Sequence, residues 1–161
     1  MTSKLTGRAE RRNRRPSHGF TLIEVIMALL VGTILTAIAI PQIKRSVDNY
    51  RLTSEVDMIT WAIQSTRFQS LMQGYAYQVV FTKASNSYQI QNEPVGTTTF
   101  ANVGNSVPMS SSAVTLDQDM TIQVKPNGSA SVTVGTPPLS VTYQGTTKQI
   151  TVTNYGNVLV Q

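Results

Sequence analysis

The sequence lacks cysteine altogether, and His18 is its only histidine. The absence of cysteine excludes disulfides, lipid attachment to a thiol and cysteine-based metal sites, so the fold has to rely on its hydrophobic core. A thiol nucleophile is also excluded, and the usual imidazole base is limited to one position near the N-terminus. The sequence contains no glycine-rich phosphate loop of the standard kinds. We therefore expect neither catalysis nor a cofactor.

Acidic residues are nearly absent from residues 1–19, where Glu10 is the only one. This segment contains six basic residues: Lys4, Arg8, Arg11, Arg12, Arg14 and Arg15. They account for the net charge of +5, because the remainder of the chain has seven basic and seven acidic residues. A basic segment ahead of an apolar run stays on the cytoplasmic side of a membrane, which places the residues after Ile43 outside. We interpret the arginine cluster in this way, since a twin-arginine signal would continue directly with apolar residues.

No charged residue occurs from Val25 to Ile43. As a helix, the segment from Phe20 to Ile43 would be roughly 36 Å long, enough to cross a hydrocarbon core of ~30 Å. Glu24 is the one carboxylate in this segment, and a carboxylate among apolar groups is costly unless a partner neutralises it. Pro41 has no N–H group and is expected to kink the helix near its outer end. The sequence thus predicts a membrane-spanning helix whose glutamate needs a partner.

An amphipathic helix is predicted to continue from Gln42 to Gln73, with Gly74 as its stop. Its apolar stripe is expected to pack on a globular domain and contains Ile43, Val47, Tyr50, Leu52, Val56, Ile59 and Ile63. Three residues widen the stripe late in the helix: Trp61, Phe68 and Met72. We interpret Trp61 and Phe68 as core residues beneath the sheet rather than as a binding platform.

After Gly74 the pattern changes to the alternation that is typical of strands. Strands are predicted at 77–82, 87–91, 120–125, 130–134, 139–143, 149–153 and 158–160. Pro126-Asn127-Gly128 indicates a hairpin between two of them. Residues 92–112 predict a long loop, with a short strand near Phe100 as the one regular element considered there. The predicted fold class is α+β: a long N-terminal helix, its first half transmembrane, packed on an antiparallel sheet with one buried face.

Asp117 and Asp119 form the one weak candidate for a metal site. Calcium takes about six to eight oxygen ligands, and two carboxylates supply few of them. A polar turn before the strand at 120–125 is the preferred interpretation.

The hexapeptide Gly19-Phe20-Thr21-Leu22-Ile23-Glu24, followed by the apolar run, resembles the class III signal of type IV pilins and type II secretion pseudopilins. The resemblance implies a pilin-like fold, cleavage after Gly19 by a prepilin peptidase, and N-methylation of Phe20 as the new N-terminus. It divides the chain into a basic leader peptide at 1–19, a transmembrane or filament-core helix at 20–41, an amphipathic helix at 42–74 and a periplasmic β-rich region at 75–161.

The same resemblance implies a partner for Glu24. In filaments of this family, the fifth residue after cleavage pairs with the N-terminal amine of a neighbouring subunit, here the amine of Phe20. Removing one member of a buried ion pair leaves the other uncompensated, at a cost of roughly 3–5 kcal/mol. The pair is therefore expected to set the axial register of the subunits.

The rest of the chain is similar to the GspH/FimT group of minor pilins and pseudopilins. The similarity rests on Gln78-Val79-Val80-Phe81 directly after the helix and on a final hairpin that begins near Lys148. It implies a structural subunit of a type II secretion pseudopilus or a type IV pilus, acting in filament initiation or at the tip. The implied location is the bacterial inner membrane, with a single pass and a periplasmic C-terminal domain, and then the pseudopilus or pilus. The implied partners are other pilins or pseudopilins, the prepilin peptidase, an inner-membrane assembly platform and, before assembly, membrane lipid.

Two alternatives stay open. One is a DNA-uptake or adhesive minor type IV pilin, although Lys125 and Lys148 are the only basic residues after Pro94 that could contact phosphates. The other is a membrane-anchored periplasmic domain that never polymerises, in which Glu24 would be protonated or would reach the membrane surface.

Overall fold

The computed structural model describes residues 19–161, so the predictions for the basic leader before Gly19 lie outside the described residues. The described part contains one helix and ten strands, and it divides into one unit that ends at Pro41 and one from Gln42 to Gln161. The helix is α1 (Leu22–Gln73). The strands are β1 (Tyr77–Thr82), β2 (Ser87–Asn92), β3 (Ala101–Asn102), β4 (Val107–Pro108), β5 (Val114–Leu116), β6 (Met120–Val124), β7 (Ala130–Val134), β8 (Leu139–Tyr143), β9 (Thr146–Val152) and β10 (Val158–Val160).

The strands form two antiparallel sheets, whereas the sequence pattern predicted one. The first sheet has the order β3-β2-β1-β6-β7, with β4 also paired to β2, and the second has the order β10-β9-β8-β5. Both predicted hairpins are present: β6 pairs with β7 across Pro126-Asn127-Gly128, and β9 pairs with β10. A third hairpin joins β1 to β2. The chain leaves the first sheet after β4, since β5 pairs with β8 in the second. Alternation of apolar and polar residues indicates which face of a strand is buried but not which sheet the strand joins. The sequence pattern therefore could not predict two sheets.

One face of α1 packs on the core formed by both sheets. Leu52, Ile59 and Ile63 are at most 1% exposed, as are Val79 of β1 and Val141 of β8. The helix ends at Gln73 as predicted, and Gly74 follows it with a φ of +78°. That left-handed conformation is the usual one after a helix and is the reason for a glycine at this position.

Polar side chains attach α1 to each sheet separately. Toward the end of the helix, Ser70 Oγ donates to the carbonyl oxygen of Val124 in β6 at 3.1 Å. Earlier in the helix, a guanidinium nitrogen of Arg51 donates to the hydroxyl of Tyr143 in β8 at 3.0 Å. The helix is thus hydrogen-bonded to both sheets.

The late apolar residues of α1 were predicted as core, and this prediction is wrong. Trp61 is 64% exposed, Phe68 63% and Met72 68%. Leu52 precedes Trp61 by nine residues, or about two and a half turns, so the two side chains lie on opposite sides of the helix. Thr66 and Ser70 occupy the buried face instead, where their hydroxyls donate to carbonyl oxygens. Ile43, Val47 and Tyr50 are exposed as well.

The predicted loop at 92–112 contacts α1 through residues near the C-terminal end of the loop. Met109 is buried in the core, and the N–H of Ser110 donates to a carboxylate oxygen of Glu55 at 3.1 Å. Glu55 is only 2% exposed. Burial raises the pKa of Glu55, and the hydrogen bond from Ser110 offsets part of that rise.

Alanine substitutions at two glycines distinguish the energetic cost of a strained backbone conformation from the cost of a steric clash. Gly135 has a φ of +83°, and a Cβ added there would lie 2.5 Å from the carbonyl oxygen of Asp119. Gly145 has a φ of +82° and open space around its Cβ direction. Left-handed strain should lower the free energy of unfolding by about 1–2 kcal/mol in Gly145→Ala. In Gly135→Ala, displaced backbone should add about 1–3 kcal/mol. Denaturant titration of the segment 42–161 checks this, and equal losses would contradict the close approach at Gly135.

The raised pKa of Glu55 predicts a pH-dependent stability. The folded state binds this proton more readily than the unfolded state, so Glu55 makes folding less favourable as the pH rises above its ordinary pKa of 4.5. Glu55→Gln retains an acceptor for Ser110 and carries no charge. We expect this variant to have a higher Tm than the wild type at pH 7, with a difference that shrinks toward pH 4. Thermal unfolding of the segment 42–161 across this pH range checks it.

Glu55→Ala is the matched control for that measurement. It removes both the charge and the acceptor, and an unpaired buried N–H costs about 1–3 kcal/mol. We expect Glu55→Ala to be less stable than Glu55→Gln at every pH. A Glu55→Gln variant that is less stable than the wild type at pH 7 would show that the ionised carboxylate stabilises the fold.

Candidate assembly site at the start of the helix

Thr21 directly precedes α1, caps it and fixes the backbone around Glu24. The carbonyl oxygen of Thr21 accepts hydrogen bonds from the N–H groups of Glu24 at 3.1 Å and Val25 at 3.2 Å. The Thr21 hydroxyl also accepts from the Glu24 N–H, at 3.3 Å. Threonine three residues before glutamate is the pattern of a capping box, so the sequence contained this signal although our prediction did not use it. Thr21 is therefore the residue of the site that sequence analysis missed.

Glu24 lies in the first turn of the helix with its side chain exposed. Within residues 19–161 its carboxylate accepts no hydrogen bond, since the contacts with Thr21 use the backbone N–H. The carboxylate is close to the partial positive charge at the helix N-terminus, which favours an anion. The carboxylate oxygens are thus available to a group from outside the described chain.

Gly19 and Phe20 precede the first helical residue, so the structure brings the predicted junction next to Glu24. Phe20 is 82% exposed, and it forms a shallow apolar groove with Glu24, Val25, Ala28 and Leu29. An exposed aromatic ring and an exposed carboxylate therefore share one surface at the start of the helix.

From Leu22 to Ile40 every residue of α1 is exposed, and most of them are large and apolar. This part of the helix is long and apolar enough to cross a membrane, and none of its residues is buried. The hydroxyl of Thr36 donates to the carbonyl oxygen of Gly32 at 2.7 Å, and that of Thr33 donates to Leu29. These bonds satisfy the polar groups without water, as a hydrocarbon environment requires.

Pro41 lies inside the helix, nearly six turns from Phe20. It has no N–H group to donate to the preceding turn, so the predicted kink rests on this missing hydrogen bond. Pro41 does not belong to the surface that Phe20 and Glu24 share.

The carboxylates of Asp117 and Asp119 serve the protein backbone. Asp117 accepts from the N–H of Ser140 at 3.0 Å, and Asp119 accepts from the N–H of Lys83 at 2.7 Å. Within residues 19–161 no group of three or more histidine, aspartate and glutamate side chains could hold a metal ion. The pair connects the loop before β6 to neighbouring strands, which is how a polar turn behaves.

Several basic side chains of the globular part are occupied by contacts within the chain. Lys148 Nζ donates to the Thr53 hydroxyl at 3.0 Å, Arg67 Nε to the Gly128 carbonyl at 3.2 Å, and Lys83 Nζ to the Asp117 carbonyl at 2.8 Å. Arg51 contacts Tyr143 as described above. The seven basic residues after Phe20 thus include four that hold elements of the fold together.

Residues 14–40 match the family model described as the prokaryotic N-terminal methylation motif. A comparison with curated proteins gives no match. Among solved structures, the fold is similar to that of the type IV minor pilin FimU of Pseudomonas aeruginosa, with a TM-score of 0.54 and 11% sequence identity. The similarity covers 71% of this chain and 90% of FimU. The predicted fold class is confirmed by this likeness.

The motif ends at residue 40, and the strands begin at Tyr77. The chain therefore combines the prokaryotic N-terminal methylation motif with a fold like that of a type IV minor pilin.

Proposed function

We propose that this chain is a structural subunit of a pilin-type filament, cleaved after Gly19 and assembled through Phe20 and Glu24. The observation that carries the proposal is the exposed Glu24 carboxylate, one turn from Phe20, on a helix whose surface is otherwise uncharged and mostly apolar up to Ile40. The methylation motif at residues 14–40 supports processing at this junction.

Cleavage would create a positively charged amine at Phe20. This amine would be the partner that the Glu24 carboxylate lacks within residues 19–161. When helices of several subunits pack together, the apolar residues from Leu22 to Ile40 leave water and the carboxylate goes with them. A cation from a neighbouring subunit then lowers the cost of burying the carboxylate. Because this partner can be met at only one axial position, the ion pair fixes the register between subunits.

The likeness to a minor pilin supports a role in a type IV pilus more than in a secretion pseudopilus. We propose that the subunit is inserted in the bacterial inner membrane with residues after Ile43 in the periplasm, and that an assembly platform moves it into the filament. A minor subunit of the GspH/FimT type would act in initiation or at the tip. DNA binding is not part of the proposal, because Arg51, Arg67, Lys83 and Lys148 already serve the fold.

Glu24→Gln tests the proposed assembly role. The variant keeps the backbone N–H that Thr21 caps and removes only the charge, so membrane insertion and the globular fold should be unchanged. We expect its amount in sheared filaments, relative to total cell content, to fall at least tenfold, since an unpaired buried charge costs about 3–5 kcal/mol. Quantitative immunoblotting of filament and membrane fractions measures this ratio.

Glu93→Gln is the control, because Glu93 lies outside the helix and should leave the ratio unchanged. Intact-mass analysis of both variants should find a chain that begins at Phe20 and carries one added methyl group. Normal incorporation of Glu24→Gln would refute the register role. An uncleaved wild-type N-terminus would refute the filament proposal and favour a simple membrane-anchored domain.

Deletion of the gene for this chain in its host tests whether the chain serves a type IV pilus or a type II secretion pseudopilus. We expect surface filaments to become several-fold fewer, because initiation fails, while the secreted proteome is unchanged. Electron microscopy of cells and mass spectrometry of culture supernatants measure the two outcomes. Loss of exoprotein secretion with normal filaments would instead assign the chain to a type II secretion pseudopilus.

A further inference from the structure

A cavity of about 320 Å³ opens between α1 and the segment that follows β4. The helix and this segment contribute the residues that line it: Tyr50, Arg51, Ser54, Glu55, Ser110 and Ser111. Its volume is near the lower end of the roughly 300–1,000 Å³ that is typical of sites for small ligands. Among the residues that line it, Glu55 is the only acid. The cavity therefore has room for a small chemical group and has one carboxylate in its wall.

The Glu55 carboxylate is buried without a countercharge. The residue is only 2% exposed, and burial raises the pKa of its carboxyl group. Within residues 19–161 its side chain accepts from one donor, the N–H of Ser110, which lies 3.1 Å from Oε1 and 3.4 Å from Oε2. An ionised carboxylate can accept at about four lone-pair positions, so most of its capacity is unused. A group that brings positive charge and further N–H donors would offset the cost of burying it.

Arg51 lies one turn before Glu55 but does not supply that charge. Its guanidinium donates to the hydroxyl of Tyr143 at 3.0 Å. The contact with Tyr143 raises the pKa of Arg51, and Asp48 adds to the rise. Because Arg51 is exposed, water and salt screen its charge. Its repulsion of a second cation near Glu55 is therefore weak.

The other walls of the cavity suit an organic cation. Tyr50 lines the cavity and is 76% exposed, and the face of an aromatic ring attracts a cation within about 6 Å of its centre. The hydroxyls of Ser54 and Ser111 are acceptors for N–H groups. A calcium ion fits poorly, because it takes about six to eight oxygen ligands and the cavity offers one carboxylate. The combination of carboxylate, aromatic ring and hydroxyls favours a cation that carries its charge on N–H groups.

We propose that this cavity binds an organic cation, an alkylammonium or guanidinium group, with Glu55 as its anchor and Tyr50 as part of its wall. Lysine and arginine side chains of other proteins carry such a group, and so do free amines. The cavity shares no residue with the surface formed by Phe20 and Glu24. Loss of this site would therefore leave the proposed filament function unchanged.

Carboxyl-carbon NMR of the full chain in detergent tests for the site. The chain has four glutamates, Glu10, Glu24, Glu55 and Glu93, so carbon-13 in their side chains gives four carboxyl signals. The Glu55 signal is identified by its loss in Glu55→Gln. We expect n-butylammonium to shift the Glu55 signal saturably at pH 7 and constant ionic strength, with no saturable shift at Glu93. The neutral analogue n-butanol is the control and should shift neither signal. A Glu55 signal that does not respond, or that responds equally to n-butanol, would overturn the proposal.

Variants test the contribution of each wall. Binding is followed through saturation transfer to n-butylammonium, and amide spectra show that each variant is folded. We expect Glu55→Gln to bind about tenfold more weakly or worse, because the buried charge is lost. Tyr50→Leu should bind about threefold more weakly, because the aromatic ring is lost. Tyr155→Leu is the control, since Tyr155 is 79% exposed and lies outside the cavity, and should bind like the wild type. Wild-type affinity in Glu55→Gln would overturn the proposal.

Photo-crosslinking in intact cells distinguishes a protein side chain from a free amine. Benzoylphenylalanine is placed at Ser110, which is exposed and lines the cavity, and at Tyr155 as the control. A higher yield at Ser110, with the product joined beside a lysine or arginine of another protein, supports a side chain as the ligand. Equal yields at the two positions, together with the shift of the Glu55 signal, support a free amine. A Ser110 product joined to a segment without basic residues would show that a surface of other chemistry covers the cavity, and would overturn the proposal.

Discussion

The structure from Gln42 to Gln161 depends on one contact, the packing of a single face of α1 on two sheets at once. Leu52, Ile59 and Ile63 enter a core whose other side comes from strands of both sheets. The strands of the two sheets interleave along the chain, since β5 of the second sheet precedes β6 and β7 of the first. Each sheet has its own hydrogen bond to the helix, through Ser70 and Arg51 respectively. Without the helix, each sheet would expose its apolar face to water. The helix is therefore the element that makes these strands a domain.

This contact also determines what the rest of the helix can do. Packing uses one face of α1 between Leu52 and Ser70, and the residues from Leu22 to Ile40 contribute nothing to that core. Their apolar surface must be covered by lipid or by other chains, and a filament subunit meets both in succession. The same argument extends to the globular part, because Tyr50, Trp61 and Phe68 are exposed on the side of the helix opposite the packed face. A helix with two apolar faces can complete the core of its own domain with one face and still need another molecule to cover the other.

Much of the fold could be predicted because local chemistry decided it. Gly74 ends the helix, Pro126-Asn127-Gly128 turns a hairpin, and alternation located the long strands, each for reasons within a few residues. The errors arose where tertiary contacts decided. Periodicity could not tell which of two apolar faces of α1 meets the sheets, so Trp61 and Phe68 were assigned to the core while Thr66 and Ser70 were overlooked. Glu55 gave no signal either, because its partner Ser110 lies 55 residues away.

At the candidate site, prediction from sequence was limited by a different constraint. The residues Gly19, Phe20 and Glu24 were identified by resemblance, but the function they imply involves a second chain, which no single subunit can display. The structure adds that the backbone and the side chain of Glu24 have different contacts. Its N–H is bound by Thr21 and starts the helix, whereas its carboxylate makes no hydrogen bond within residues 19–161. A residue with only a capping role would turn its carboxylate back to the N–H of Thr21, as the full capping box does. Because the hydrogen bonds in the structure stop short of that, the carboxylate is left for a donor from elsewhere, and the amine of a processed Phe20 is a donor of the right charge.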